Sequence, residues 1–481
     1  MKLLFTHSYF IALDPKQKRA GKPYPPLAPL YAAALLRENN YAVAFADLQF
    51  GVAEDLRQHL QSEKPDVLVI YDDGFNYLVK MCLSNMRQAV FKMIQIAGEF
   101  QIPVIISSSD ASDNHALYFN QGIQYLIEGE AEYTLLELLQ QFKSGDLTRV
   151  KGLVYKQEDV LVKNPARSVS RQLDDLPVPA WDLIDFSIYG KWWGKSAGYF
   201  SVNLVTTRGC PYKCNWCAKP IYGNRYNSHS ASRVVKEMQL LKQMADIDHI
   251  WFADDIFGLK PNFLEDFVEA LTVARLMIPF KIQSRADLMA NEKTVRLLAV
   301  AGCTEVWLGV ESGSQRILDA MDKGITLSQI KTARQLLKKH GIRVGFFMQF
   351  GYRGETISDI QLSLELLKKL QPDDLGVSVS YPLPGTLFYE QVREELTETK
   401  NWAHSDDLLH LFKGTYSPVF YKVLQKYTHY LFRTAQAGRT LTQLQINKKS
   451  VLLPYYLVRK KILRRRLKDI FSKQDNLAFP L

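Results

Sequence analysis

Short apolar runs alternate with helical stretches in two separate blocks of this chain, and that alternation limits its fold more than any other feature. Over residues 1–150 the candidate strands are 2–6, 41–46, 66–71, 103–107 and 124–127. Helical periodicity fills 27–38, 54–61, 77–99 and 132–142 between them. Strands separated by helices in this way read as a doubly wound, Rossmann-like parallel sheet. Ligands of such sheets lie at the carboxyl ends of the strands, where strand order reverses. Those ends are His7-Ser8, Asp47, Asp72-Asp73 and Ser107-Ser108-Ser109.

From Phe200 to about Phe388 the alternation returns, with candidate strands 200–207, 249–253, 280–284, 305–310, 344–350 and 375–380. Six βα units suit a partial (β/α)6 barrel of TIM type better than a closed one of eight, and in such barrels chemistry gathers at the carboxyl ends of the strands. The segment between the blocks, 151–199, reads as a connector. It has hairpin character over 152–162, and Leu173-Asp174-Asp175-Leu176-Pro177-Val178-Pro179-Ala180-Trp181 is too rich in proline for a regular element. The expected organisation is therefore an α/β chain with a doubly wound domain at 1–150, a connector at 151–199, a barrel at 200–390 and a helical C-terminal region at 391–481.

Directly after the first barrel strand, Arg208-Gly209-Cys210-Pro211-Tyr212-Lys213-Cys214-Asn215-Trp216-Cys217 closes a compact loop on three thiols. Three thiolates on a four-iron cluster leave one iron free to chelate a ligand, whereas a fully ligated cluster only passes electrons. A zinc site usually wants a fourth Cys or His at short spacing, and the next histidine is His229. Five cysteines in 481 residues is the usage of a reducing compartment. Met1-Lys2-Leu3-Leu4-Phe5 is interrupted by Thr6-His7-Ser8 before a signal-peptide core forms, so a cytoplasmic location is expected. Cys303 and Cys82 read as packed thiols, the latter within a helix. None of the nine histidines forms a hydrolytic constellation by local spacing.

The C-x3-C-x2-C spacing, with an aromatic residue before the third cysteine, resembles the signature of the radical SAM superfamily. The resemblance implies a [4Fe-4S] cluster on Cys210, Cys214 and Cys217 whose open iron binds S-adenosylmethionine, cleaved by one electron to a 5′-deoxyadenosyl radical. Further strings fall at strand ends. Trp216 would shield the cluster and approach adenine. Asp254, in Phe252-Ala253-Asp254-Asp255-Ile256-Phe257, suits the cofactor's ammonium or ribose. Arg285, in Gln283-Ser284-Arg285-Ala286-Asp287, offers a two-pronged partner for the methionyl carboxylate. Glu311, Ser312 and Gly313 belong to the family's G-x-E-S-G string, with Glu311 an acceptor for ammonium or ribose. Gly351-Tyr352-Arg353-Gly354-Glu355-Thr356 resembles G-x-P-G-E-T with Arg353 in place of proline, which puts a charge near the substrate. Pro382-Leu383-Pro384-Gly385-Thr386 would shape a pocket wall. No individual catalytic acid or base stands out.

The first block is similar to the cobalamin-binding domain that precedes many radical SAM barrels, through Tyr24-Pro25-Pro26-Leu27, Lys64-Pro65-Asp66-Val67 and Glu128-Gly129-Glu130-Ala131-Glu132. The resemblance implies cobalamin, with Ser107, Ser108, Glu128 and Gly129 as contacts. Asp47-Leu48-Gln49-Phe50-Gly51 lacks the histidine of D-x-H-x-x-G, and Ser107-Ser108-Ser109 stands where a Gly-Gly pair is usual. The segments Trp402–Leu408 and Phe412–Tyr421 resemble the anaerobic magnesium-protoporphyrin monomethyl ester oxidative cyclase group. Methylation and oxidative modification or cyclisation of an unactivated carbon of a small organic substrate both follow, with flavodoxin or ferredoxin as the low-potential electron donor. A tRNA methylthiotransferase-like enzyme and a non-catalytic cobalamin or redox sensor are the alternatives. The former would carry three more cysteines in the first domain, where only Cys82 is present.

The formal charge of +10 is concentrated at Arg459-Lys460-Lys461-Ile462-Leu463-Arg464-Arg465-Arg466-Leu467-Lys468. A solvated terminal helix burying Ile462, Leu463 and Leu467 is the favoured reading of this run. Peripheral contact with an anionic membrane is the other, and no nucleic-acid partner is expected.

Overall fold

The computed structural model describes residues 1–142, 145–219, 221–442 and 448–474; residues 475–481 of the expected C-terminal region lie outside them. The chain divides into two compact units. One comprises Met1–Pro211, Ala218–Pro279 and Asn401–Asp407; the other comprises Tyr212–Cys217, Phe280–Lys400 and Leu408–Leu481.

The first unit is built on β1 (Lys2–Thr6), β2 (Ala42–Phe45), β3 (Val67–Tyr71), β4 (Val104–Ser107), β5 (Tyr125–Ile127), β6 (Leu153–Gln157) and β7 (Val160–Lys163). Their order is β2-β1-β3-β4-β5-β6-β7. The first five run parallel, and β1 pairs with both β2 and β3, so chain direction across the sheet reverses there. Such a reversal opens a crevice above the strand ends. Every residue of β3 and β4 is buried, as expected for strands covered on both faces. The hairpin read as part of the connector joins this sheet: β6 pairs antiparallel with β5, whose outer edge is otherwise open.

Two further expectations for this unit need correction. The single helix over 77–99 is two, Tyr77–Lys80 and Ser84–Glu99, because Cys82 has left-handed backbone (φ 53°). Cys82 therefore sits in a turn and not in a helix. The connector also contains a regular helix, Phe186–Ala197, started by Asp185, whose side chain accepts from Ser187 N–H. Its buried Tyr189 and Trp193 hydrogen-bond to Asp47 (2.5 Å) and to the Pro23 carbonyl (2.6 Å).

The expected strand 200–207 is split into β8 (Ser201–Leu204) and β9 (Thr207–Arg208). β9 turns away to pair antiparallel with β10 (Asn227–Ser228), while β8 pairs parallel with β11 (His249–Phe252). The second unit holds β12 (Phe280–Ser284), β13 (Cys303–Glu311), β14 (Arg343–Phe350) and β15 (Asp374–Val379), each parallel to its neighbour. Strands β8 and β11–β15 are the six parallel strands of a half-barrel sheet.

Alternation along β13 to β15 separates two faces. Val306, Leu308, Val344, Phe346 and Met348 are buried on one. On the other, Trp307 lies 4.7 Å from Phe347, ring centre to ring centre. Gly345 is obligatory beneath them, since a Cβ there would stand 2.4 Å from the Trp307 ring. Among the described residues no helix is long and apolar enough to cross a membrane.

Candidate functional site

The cysteine loop is held from its N-terminal side by groups of the first unit. Where β8 ends, Asp254 Oδ1 accepts from the backbone N–H of Thr206 and Thr207, both at 2.7 Å, and Oδ2 accepts from Thr206 Oγ1 at 2.8 Å. Burial pushes the Asp254 carboxyl up to about 7 against these donors. Asp254 is 1% exposed, so its geometry is that of a clamp on the strand end. Its neighbour Asp255 pairs with Lys80 at 3.0 Å.

One residue on, Arg208 is buried between two carboxylates and three aromatic rings. It pairs with Glu130 and, at 2.8 Å, with Glu132. Its guanidinium carbon is 5.2 Å from the Tyr31 ring centre, 5.3 Å from Tyr222 and 5.6 Å from Phe75. Two acids of the Glu128–Glu132 string thus fix the residue that precedes Gly209 and Cys210. Gly209 is required on two counts: its φ is +79°, and a Cβ would meet the Arg225 carbonyl at 2.4 Å. The Cys210 carbonyl accepts from Lys219 Nζ at 3.0 Å.

Groups of the second unit hold the other side. Asn215, between Cys214 and Cys217, uses its backbone and both ends of its amide. Its N–H donates to the Met321 carbonyl (3.1 Å) and its carbonyl accepts from Phe388 N–H (3.0 Å). Nδ2 donates to the Ala320 carbonyl (2.8 Å) and to Asp322 Oδ2 (2.9 Å), and the Tyr352 hydroxyl lies 3.0 Å from Oδ1. Trp216 packs on a buried cluster that includes Ile317, Met321, Tyr352 and Phe388. Its indole Nε1 is buried without a partner among the described residues.

Arg285 reaches Cys214: Nη1 is 3.9 Å from Sγ. Its guanidinium lies 3.6 Å over the Tyr212 ring, and Nη2 donates to the Lys323 and Gly324 carbonyls at 2.8 and 3.2 Å. Nε donates to Asp287 at 3.0 Å. Most of the fork expected to grip a methionyl carboxylate is therefore engaged within the chain.

Glu311 stands at a bulge in β13, with left-handed backbone (φ 61°), and pairs with Lys323 Nζ at 2.9 Å. Both side chains are buried. Gly309 makes room for this pair, since a Cβ there would lie 2.6 Å from each partner's charged end. Lys323 Nζ is also 5.8 Å from the Trp216 ring centre. Ser312 and Gly313 do different work: Ser363 Oγ bonds Ser312 Oγ (3.2 Å) and Gly313 N–H (2.8 Å). A Cβ on Gly313 would strike the Leu362 carbonyl at 2.4 Å.

Arg353, expected to bring a charge to the substrate, is 55% exposed and pairs with Glu395 at 3.1 Å. Thr386 caps the helix Leu387–Gln391, whose Phe388 N–H holds Asn215.

At the strand ends of the first sheet, Ser107, Ser108 and Ser109 are buried. A cavity of about 20 Å³, room for a water, is lined there by Ser8, Asp72, Cys82, Arg87, Ser108 and Asp110. Asp72 Oδ1 accepts from Ser8 N–H at 3.0 Å, and burial raises its carboxyl. Glu128 is engaged by His115 (2.7 Å) and Lys163 (2.9 Å). Gly129 has φ +75° and open space where a Cβ would be.

Arg208, Asn215 and Lys323 were not identifiable as site residues from sequence, although Arg208 and Asn215 flank or interrupt the cysteines themselves. Among the described residues no three His, Cys, Asp or Glu side chains converge on the point that one metal ion needs. A four-iron cluster asks for a different arrangement, one thiolate on each of three irons. None of the three loop cysteines is in a disulfide and all are partly exposed, which suits that use.

The Radical SAM superfamily model matches residues 204–367. An uncharacterized methyltransferase of Pyrococcus horikoshii is 29% identical over 400 residues, covering 79% of this chain and 82% of that protein. The anaerobic magnesium-protoporphyrin IX monomethyl ester cyclase of Rubrivivax gelatinosus is 24% identical over 417 residues, 82% of this chain and 71% of that protein. Among solved structures, the cobalamin-dependent S-adenosylmethionine radical enzyme OxsB with aqua-cobalamin bound aligns at TM-score 0.76 and 19% identity, over 98% of this chain and 73% of that one. The radical S-adenosylmethionine methyltransferase TsrM of Kitasatospora setae, with cobalamin and a [4Fe-4S] cluster bound, aligns at TM-score 0.66 and 21% identity, over 82% and 78%. Residues 204–367 are thus a radical SAM domain, and about four fifths of the chain is similar to a radical SAM methyltransferase and a cyclase of that kind.

Proposed function

We propose that the chain cleaves S-adenosylmethionine at a [4Fe-4S] cluster on Cys210, Cys214 and Cys217 and, with cobalamin, methylates or oxidatively modifies or cyclises an unactivated carbon of a small organic substrate. Held by the three cysteines, a reduced cluster would supply the one electron needed to break the sulfonium bond to methionine and the 5′-deoxyadenosyl radical. The observation that carries the reading is the fixing of Cys214–Cys217 through Asn215, with Arg285 Nη1 3.9 Å from Cys214 Sγ. Arg285 would offset negative charge on that thiolate, and Trp216 would cover it from water. The buried Glu311–Lys323 pair presents one anion and one cation. A methionyl group carries the complementary ammonium and carboxylate, so Glu311 takes the former and Lys323, in place of Arg285, the latter.

Residues 1–150 are proposed as the cobalamin-binding domain, with Ser107, Ser108, Glu128 and Gly129 as its contacts. Bound there, cobalamin would supply a methyl donor or a redox partner for the substrate radical. Flavodoxin or ferredoxin in a reducing, cytoplasmic setting would deliver the electron. Anaerobic incubation of reconstituted protein with dithionite and S-adenosylmethionine should yield 5′-deoxyadenosine, and Cys214→Ala should yield none; absence of product from the unaltered protein removes the catalytic reading. Hydroxocobalamin should co-elute with the protein on gel filtration, and elution as free ligand removes the cobalamin half alone.

A further inference from the structure

The helix Leu453–Gln474 packs along Pro418–Thr442 within the second unit, burying Leu463, Leu467 and Phe471 at four-residue spacing. That face accounts for only part of its apolar content. Ile462, expected to be buried with Leu463 and Leu467, is 49% exposed, and Val458 and Tyr455 are 58% and 50% exposed. At about 100° per residue, positions 455, 458 and 462 form one ridge, opposite the buried face. Exposed cations stand on both sides of it: Arg459 and Arg466 on one, Lys461 and Lys468 on the other, with Arg465 on the ridge line one turn on. From Leu453 to Gln474 there are eight Lys and Arg against one acid, Asp469.

Aromatic rings continue the surface. Tyr430, Tyr455 and Tyr456 lie within 6.2 Å of one another by ring centres, and the Tyr430 and Tyr455 hydroxyls are 3.1 Å apart. Arg433 and Arg459 are each 5.7 Å from the Tyr430 ring centre.

We propose that this face of Leu453–Gln474 docks on an anionic lipid surface, the ridge Tyr455–Val458–Ile462 entering the acyl boundary and the flanking cations meeting lipid phosphates. Charge complementarity selects the partner, since a helix already packed on one side shows a second apolar strip bordered by cations along its length. Amphipathic anchors combine these two elements, and tyrosine side chains favour the headgroup level. A nucleic acid would use the cations and leave Val458 and Ile462 without a role. The inference is independent of the chemistry proposed above.

The test is flotation of the full-length protein with vesicles of phosphatidylcholine alone or mixed with phosphatidylglycerol. Binding is expected on the anionic vesicles only, falling as salt rises. Arg465→Glu with Arg466→Glu should lower partitioning at least tenfold, given about fivefold per basic residue near such a surface. Val458→Asp with Ile462→Asp should lower it as far, at unchanged circular dichroism and unchanged 5′-deoxyadenosine formation. Equal binding to neutral and anionic vesicles, or none to either, overturns the proposal. So does full binding by the Val458/Ile462 variant, or RNA that displaces the vesicles and binds that variant as well as the original, which would assign a nucleic-acid surface.

Discussion

The two sides of the cysteine loop are held by opposite means. Before Cys210 the anchor is ionic: Arg208 faces Glu130 and Glu132 inside an aromatic cage. After Cys214 it is largely neutral: Asn215 is bonded to backbone carbonyls, to Tyr352 and to a single carboxylate. A buried ionic anchor is strong only while every member is present, because a lone buried charge costs several kcal/mol. A network of neutral bonds loses its members one at a time, at about 1 kcal/mol each. The loop should therefore fail abruptly on one side and gradually on the other.

The largest effect is expected from Arg208→Met, which strands Glu130 and Glu132 and should cost about 3–5 kcal/mol. Chemical denaturation reads this directly, and adding Glu130→Gln and Glu132→Gln should restore most of it. A triple variant no better than the single one would refute the ionic account.

Glu355, in the second unit, sharpens the contrast. Its Oε2 accepts from Gly351 N–H at 2.6 Å, its Oε1 has no partner among the described residues, and burial pushes the carboxyl up to about 8. A carboxyl raised in the folded state adds stability that is complete below its ordinary value, about 4.5, and is gone once pH has risen past about 8. Glu355→Gln should flatten that loss and leave the variant more stable above pH ~8, by on the order of 3 kcal/mol. Parallel stability–pH curves for the two proteins would contradict it.

Smaller again, Asn215→Ala removes the amide bonds to Ala320, Asp322 and Tyr352 and should cost about 2 kcal/mol. Its clearer signature is a broadened cluster spectrum at unchanged iron content. Tyr352→Phe removes one hydroxyl and should cost about 1 kcal/mol, with the cluster spectrum unaltered. A Tyr352 effect larger than that of Asn215 would reverse their order in the network.

Much of this arrangement was legible in sequence because periodicity and cysteine spacing are local. Strands β1 and β12 fall at the expected residues, and β2–β5, β11 and β13–β15 within one or two; β8 stops short at Leu204, and the β9–β10 pair lies outside the expected pattern. What escaped depends on distant partners. Nothing near Arg208 announces that Glu130 and Glu132 will bury it, and Lys323 becomes notable only when the bulge at Glu311 brings the pair together. Asp254 shows the converse, since its position after a barrel strand suited a cofactor contact, yet Thr206 and Thr207 take both oxygens. The Phe186–Ala197 helix hid behind the prolines that precede it, and Ile462 was assigned to the wrong face of its helix.

The central claim is a four-iron cluster with three thiolates and one open iron. Electron paramagnetic resonance of the anaerobically reconstituted, dithionite-reduced protein tests it most directly. The account predicts a reduced-cluster signal that shifts when S-adenosylmethionine is added and is lost in Cys214→Ala. A protein that takes up no iron, or a signal indifferent to S-adenosylmethionine, would contradict it.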